Sequence, residues 1–468
     1  MTLSTLPFDL SEHVLSCIDA RRDLISLALT CKYWAERIIP LHSQYRVIRL
    51  FNNASAARVW THLAQRRDLA KNVRELVLRE PDYPARRRAR VKPERYPGGL
   101  EPAQETADKV AIVADLCQAL RNMSEGLLSF TWVDPWSSMC AYTDVPGYQE
   151  RILQAIRECH SLISLEILDA RVQAVPGDLL DPAHSLEYPL WNIRNLRKLS
   201  LRQTSWYEDG VLQLLAKSPG LERLQLHAPT APAIFESASL PRLRCLKINS
   251  LGTFGPAGEM AAANFIERHP AIEELSWYPV DSNLRLQFGS LPRLKKLITG
   301  RAFASSLLSD SGSSRAFECL SQLTMDKATL DLLSTLDTSQ LRDMRIWKFA
   351  GIESLHRLAE IAPHITLLEM PTLGMQTVED TNDGLTLDDY IAVLSKFPML
   401  EYITQSSIWP RVLNEKKLDQ LAAQCPRLQR LNYYKFSIQA DVDIWLLRVD
   451  GKIEWREEII YGSEWTLV

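Results

Sequence analysis

The chain has 468 residues, 46% of them apolar, with 54 Lys+Arg against 57 Asp+Glu and a formal charge of −3. These values describe an ordered chain that buries a large apolar surface, exclude disordered and collagen-like classes, and give no bulk attraction for nucleic acid or an anionic membrane. No stretch reaches the ~18–20 apolar residues of a membrane span, and Asp9 and Glu12 interrupt what would be the apolar core of a signal peptide, so a cytoplasmic or nuclear protein, not a secreted one, is expected.

From the first residues, LPFDLSEHVLSCIDARRDLISLALTCKYWAERIIPLH places Leu10, Val14, Leu15 and Ile18 at helical spacing. Leu24, Ile25, Leu27 and Ala28 follow on a second helix with Asp23 as its N-cap, and Trp34 and Ile38 mark a third. Three helices in about forty residues bury too little to stand alone and gain stability from a partner or the next domain. The order Leu6-Pro7, Leu10, Val14-Leu15, Ile18, Asp23-Leu24, Leu27, Cys31-Lys32 and Trp34 resembles the F-box motif. The resemblance implies that residues 1–45 dock on the Skp adaptor, and through it on a cullin-RING scaffold, while the remainder selects a protein for ubiquitination. It puts Leu6, Pro7, Leu10, Val14, Leu15 and Ile18 on the adaptor-facing surface, with Leu24, Leu27 and Trp34 completing or supporting it. The sequence departs from the motif at Phe8-Asp9 and in the Asp19–Asp23 link, where a proline is common.

Residues 46–126 read as a linker with a first divergent repeat at Val73 and a surface-loop insertion over 79–108. The insertion carries Arg86, Arg87, Arg88, Arg90 and Lys92, flanked by Glu80, Asp82, Glu94, Glu101 and Glu105, a composition that reads as solvated.

From 127 to 436 one phrase recurs, an apolar residue followed at +3 and +5 by two more. Clear copies are Leu162-Leu165-Ile167, Leu196-Leu199-Leu201, Leu221-Leu224-Leu226, Leu243-Leu246-Ile248, Ile272-Leu275-Trp277, Leu320-Leu323-Met325, Leu341-Met344-Ile346, Ile365-Leu368-Met370 and Leu428-Leu431-Tyr433. Weaker copies start at Leu127, Leu294 and Leu400, and the mean step is about 27 residues, inside the range of leucine-rich repeats. The +3 and +5 positions lie two apart and share one face of a strand, which is buried only by stacking against neighbouring copies. Apolar residues at helical spacing followed by Pro219, Pro270, Pro398 or Pro426 precede several copies, so a helix ends before the next strand begins. The expected fold class is α/β: a leucine-rich repeat solenoid, strands inside and helices outside, behind a three-helix F-box. The combination resembles fungal-type F-box proteins with leucine-rich repeats.

The positions beside the apolar pairs line the opposite strand face and supply candidate client-binding residues: Lys198, Arg202, Arg223, His227, Lys247, Tyr278, Arg345, Trp347, Tyr402 and Tyr434. The basic ones suggest an acidic or phosphorylated protein client. A loop is expected over Ser305–Ser314, and Asp380–Gly384 fails the ligand spacing of a calcium loop, with Thr386 instead capping a helix from Asp388 to Leu394. The end of the chain, 437–468, alternates about Asp450-Gly451 and reads as a hairpin capping the last repeat with Trp445, Trp455 and Trp465.

The eight cysteines are never closer than fourteen residues and read as reduced and buried. No phosphate-binding glycine loop, zinc-protease motif or nucleophile elbow occurs, and the nine histidines have no ligand spacing. No catalytic residue, metal or cofactor is therefore expected. The sequence describes a non-catalytic substrate receptor of a ubiquitin ligase. The alternatives are a repeat scaffold without a ubiquitin role and an activator of a small GTPase, for which no exposed Asn or Arg on a repeat edge stands out.

Overall fold

A period-two apolar pattern stabilises a strand only when its neighbours bury the same face, and that stacking recurs along this chain. The structure, a computed structural model, describes residues 10–11, 14–15, 18, 21–39, 45–51, 54–79, 102–133, 145–168, 185–202, 207–227, 232–249, 255–309, 316–349, 351–370, 387–404, 415–435, 440–449 and 452–460. Two units are distinguished, Met1–Leu243 and Arg244–Val468.

In the first unit Leu10, Ser11, Val14 and Leu15 are helical and precede α1 (Arg21–Ala28) and α2 (Lys32–Ile38). Helix α1 starts two residues before Asp23, so this carboxylate lies in the first turn, where it favours the positive end of the helix, and does not cap it. There follow β1 (Val47–Phe51), α3 (Ala54–Gln65), α4 (Arg67–Ala70), β2 (Glu75–Arg79), α5 (Pro102–Asn122), β3 (Ser129–Val133), α6 (Tyr148–Arg157), β4 (Ser164–Leu168), β5 (Lys198–Arg202), α7 (Glu208–Ala216), β6 (Arg223–His227) and α8 (Pro232–Ser237). A 3₁₀ turn at Pro189–Asn192 precedes β5. The loop expected over 79–108 is shorter than its sequence suggested, because helix α5 already begins at Pro102.

Strands β1 to β6 pair in chain order, each parallel to the next. The register sets Leu76, Phe130, Leu165, Leu199 and Leu224 in one row and Leu78, Trp132, Ile167, Leu201 and Leu226 in a second. All ten are buried. Strand β1 was not among the phrases read from the sequence, yet Tyr45, Ile48 and Leu50 repeat their spacing and β1 pairs with β2 residue for residue.

One hydrogen-bond motif accompanies each step within the first unit. The carbonyl of the residue after the first apolar position accepts two N–H groups from the next phrase: Ile163 from Arg197 at 2.8 Å and Lys198 at 2.9 Å, and Arg197 in turn from Glu222 and Arg223. This forked bond satisfies the backbone where the chain turns from helix into strand, which would otherwise leave polar groups unpaired beside the core.

The second unit repeats the plan with β7 (Cys245–Asn249), α9 (Gly255–Glu267), β8 (Glu274–Trp277), β9 (Lys296–Ile298), α10 (Arg301–Ser309), β10 (Cys319–Met325), α11 (Lys327–Leu333), β11 (Asp343–Phe349), α12 (Ile352–Ile361), β12 (Leu367–Glu369), α13 (Leu387–Leu394), β13 (Tyr402–Thr404), α14 (Glu415–Gln424), β14 (Arg430–Lys435), β15 (Ala440–Val449) and β16 (Lys452–Ile460). Strands β7 to β14 are parallel, and Leu246, Leu275, Leu297, Leu320, Met344, Leu368, Ile403 and Leu431 form one buried row.

The register corrects two expectations. Leu320 pairs with Leu297 and therefore occupies the +3 position, so this phrase begins at Phe317, and a bulge brings Leu323 opposite Ile346. Ser305–Ser309 belong to helix α10, with Phe303 edge-on to Trp277 at 5.2 Å; serine richness misled because the apolar residues on the other face anchor the helix. The calcium-loop and capping positions 380–386 lie outside the described residues.

At the end of the chain the pairing reverses. Strands β14, β15 and β16 are antiparallel, with Val449 opposite Lys452 across residues 450 and 451. Arg448 donates to the carbonyls of Ala422, Cys425 and Leu428 at 3.1, 3.0 and 2.7 Å. Those carbonyls belong to the end of α14 and the turn after it, so a side chain of the hairpin caps the last helix.

Candidate partner-binding surfaces

The amino-terminal helical module has a small core of its own. Leu15, Leu24, Ala28, Trp34 and Ile38 are buried together, with Ile18, Leu27 and Tyr33 packed against them. Tyr33 packs edge-on to Trp34 at 5.1 Å, and its hydroxyl accepts from Arg37 at 2.7 Å and lies 3.3 Å from the Ser11 hydroxyl. Leu24 and Trp34 thus support the module from inside, and so does Leu15, which was expected on the adaptor-facing surface but is fully buried in the module's own core. Leu10 is 52% exposed and Val14 half-buried. Leu6 and Pro7 lie outside the described residues.

The outward surface carries apolar side chains among its polar ones. Leu10, Ile25, Leu29 and Ile39 are four of the twelve exposed large hydrophobic side chains among the described residues, gathered within thirty positions. Helix geometry explains the pair on α1. Leu24 and Ala28, four apart, point into the core, while Ile25 and Leu29, one residue later, share the next face and meet solvent. Ile25, Leu29 and Ile39 were missing from the residues read as adaptor-facing. Their signal was a short helix apolar on two adjacent faces, one more than its own core uses.

The strand face opposite the apolar rows carries charge, but neighbouring strands neutralise most of it. In the first unit Lys198 on β5 pairs with Glu166 on β4, and Arg49 on β1 with Glu75 on β2 at 3.0 Å. The Arg202 guanidinium donates to the Gln225 side-chain oxygen at 2.8 and 3.2 Å once the amide is turned to face it. Arg223 is exposed and enters no ion pair among the described residues; the His227 side chain lies outside them.

In the second unit a shallow depression of about 480 Å³ is lined by Lys247, Glu274, Lys296, Cys319, Asp343 and Arg345 among others. Lys296 pairs with Glu274 at 3.2 Å, while Arg345 bridges Asp343 at 3.3 Å and Glu369 at 3.6 Å. Burial outweighs the Arg345 attraction and raises the Glu369 carboxyl above its ordinary value, with Asp343 adding repulsion. Burial likewise raises the Tyr278 phenol, reinforced by Glu369, and pushes the Cys319 thiol up to about 12. Of the predicted residues the depression therefore combines Arg345 and Lys247, with Tyr278 outside its lining, and among the described residues Lys247 has no ion-pair partner. Tyr402 is half-buried, its hydroxyl donating to the Gln429 side-chain oxygen at 3.4 Å. The side chains of Trp347 and Tyr434 lie outside the described residues.

Among the described residues no cluster of three His, Cys, Asp or Glu could hold a metal ion, and no helix is long and apolar enough to cross a membrane. Comparison with known proteins adds one finding: a family described as F-box-like matches residues 3–41, the stretch that contains the helical module. No curated protein matches the chain.

Proposed function

We propose that this chain is the substrate-recognition subunit of a Skp–cullin–F-box ubiquitin ligase. The helical module docks on the Skp adaptor, and the strand face of a leucine-rich repeat solenoid binds a protein client in the cytoplasm or nucleus. The observation that carries this reading is the coincidence of the F-box-like match at 3–41 with exposed apolar side chains on α1 and its neighbours that the module does not bury. Exposed apolar side chains this dense on a unit this small are stabilised by a partner surface. Leu10 and the positions Leu6 and Pro7 supply the first contact, Ile25, Leu29 and Ile39 extend it, and Leu15, Leu24, Leu27 and Trp34 hold the helices that present it.

The strand face supplies the other half of the role. Its carboxylate–cation pairs fix the charged side chains in place before a client arrives, so binding loses little side-chain entropy. Ubiquitin transfer itself is left to the partner subunits, and this chain contributes proximity by holding the client near the charged conjugating enzyme.

Co-purification with the Skp adaptor tests the reading. The full chain is expected to retain the adaptor, and a Leu6→Ala, Pro7→Ala double variant to lose it. Absence of binding by the unsubstituted chain would make the first forty residues a cap, and the protein a repeat scaffold without a ubiquitin role.

A further inference from the structure

Of the cations read from the sequence as anion-binding, Lys198 and Arg345 are neutralised by strand neighbours, whereas a different group of cations gathers in the first unit without a carboxylate of its own. It lies where the helices end and the strands begin. A pocket of about 560 Å³ is lined there by Arg157, Glu158, His160, Asn192, Arg194, Asn195 and Lys217. Arg157 is in the last turn of α6 and Lys217 follows α7, while Arg194 stands on the extended segment before β5. Asn195, at φ +63, turns the chain beside it, and its N–H donates to the Lys217 carbonyl at 3.0 Å.

Successive steps show what is unusual. Arg67 of α4 pairs with Glu125 at 3.4 Å, and Arg121, in the last turn of α5, pairs with Glu158 after α6 at 3.2 Å. At the next step Arg157 stands where Arg121 stood, but the residue after α7 is Lys217, so a second cation replaces the expected carboxylate. Glu158, the one acid in the pocket, is already used: one oxygen accepts from Arg121 and the other from Gln154 at 3.3 Å. Arg157, His160 and Arg194 enter no ion pair among the described residues, and the Lys217 ammonium donates to the neutral Asn192 side-chain oxygen at 2.6 Å. Partial burial, with repulsion from Arg194 and Arg157, holds the Lys217 ammonium below its ordinary value.

A helix C-terminus favours one nearby cation through its partial negative charge. That accounts for Arg157 and Lys217 and leaves Arg194 and His160. Two guanidiniums and an ammonium converging on one concavity match the charge and the oxygen geometry of a phosphate group. We infer that this pocket is a binding site for a phosphate monoester. The inference does not depend on the ligase reading.

The ligand chemistry has two sources, a phosphorylated side chain or a free phosphorylated small molecule, and titration calorimetry on the full chain separates them. The probes are a capped Gly-phosphoserine-Gly peptide, its unphosphorylated form, and glycerol phosphate. Binding of the phosphopeptide, or of both phosphate probes, with no binding of the unphosphorylated peptide, is expected. A preference of about tenfold for the peptide assigns the site to a polypeptide, and comparable affinity to a small molecule. Arg157→Gln with Arg194→Gln should weaken binding at least about tenfold, while Arg242→Gln, at an exposed cation outside the pocket, leaves it unchanged. Unchanged affinity in the double variant, given an unaltered urea midpoint, or no binding of any phosphate probe, would overturn the assignment. An unsubstituted chain that binds no phosphate probe but retains the adaptor would refute the pocket and leave the ligase reading standing; the opposite pattern would do the reverse.

Discussion

Burial sets the chemistry of single residues in this protein more than charge does. It raises the thiol of Cys117, and pushes those of Cys159, Cys319 and Cys425 up to about 12, 12 and 11, while Cys31 is exposed. Only a thiolate alkylates. Brief treatment of the native chain with iodoacetamide at mild alkaline pH should therefore label Cys31 and spare Cys117, Cys159, Cys245, Cys319 and Cys425. Peptide mass spectrometry reads the pattern, and equal labelling of Cys159 and Cys31 would show that the core is not closed.

His269 gives a pH dependence. Its ring lies 4.1 Å from that of Phe265, its Nδ1 donates to the Phe265 carbonyl at 2.6 Å, and burial lowers its pKa despite that bond, helped by Arg268. The folded chain therefore keeps this ring neutral at pH values where the unfolded chain, with a histidine pKa of about 6.5, has taken up a proton. The stabilisation is present above that value and is lost as pH falls from it through the lower folded one. The urea midpoint should fall between about pH 7 and 5, and His269→Gln should flatten that slope.

At the scale of elements, packing tolerances are narrow where helix meets turn. A Cβ on Gly210 in α7 would sit 2.5 Å from the ring of Trp191, which is fully buried in the preceding 3₁₀ turn. Gly210→Ala gains about 1 kcal/mol of helix propensity but overpacks by roughly 1–3 kcal/mol, so a lower urea midpoint is expected. Leu199→Ala, in the middle of a buried row, should cost roughly 2–5 kcal/mol by the same measurement. Arg448 tests the terminal hairpin: replacing it with Met removes three bonds to the end of α14, and the amides of β15 and β16 should then exchange faster while those of β7 to β9 do not.

The elements were legible wherever one face decides the spacing. Leu165 with Ile167 and Leu199 with Leu201 announce strands because a two-residue period has only one burial solution. The phrase at Phe317 was read three residues late because the bulge after Ser321 puts a leucine where the spacing alone would count another repeat. Strand β1 escaped because its first apolar position is Tyr45 and arginines separate the rest. The forked backbone bonds and the Arg448 cap carry no side-chain signature at all. The candidate surfaces were less legible still. Lys198 and Arg345 read as free cations until the register set Glu166 and Glu369 beside them, whereas Arg157, Arg194 and Lys217 lie far apart in sequence and converge only through the fold.

At the scale of the whole molecule, the account divides labour between a small helical module whose exposed apolar side chains need a partner and parallel strands whose polar face is held by internal ion pairs. The division predicts a localised footprint. Amide hydrogen exchange of the full chain, with and without the Skp adaptor, measures it directly. The adaptor should slow exchange across residues 10–39 and leave the strands of both units unchanged. Binding that protects the strands and not the helical module, or no protection at all, would contradict the account.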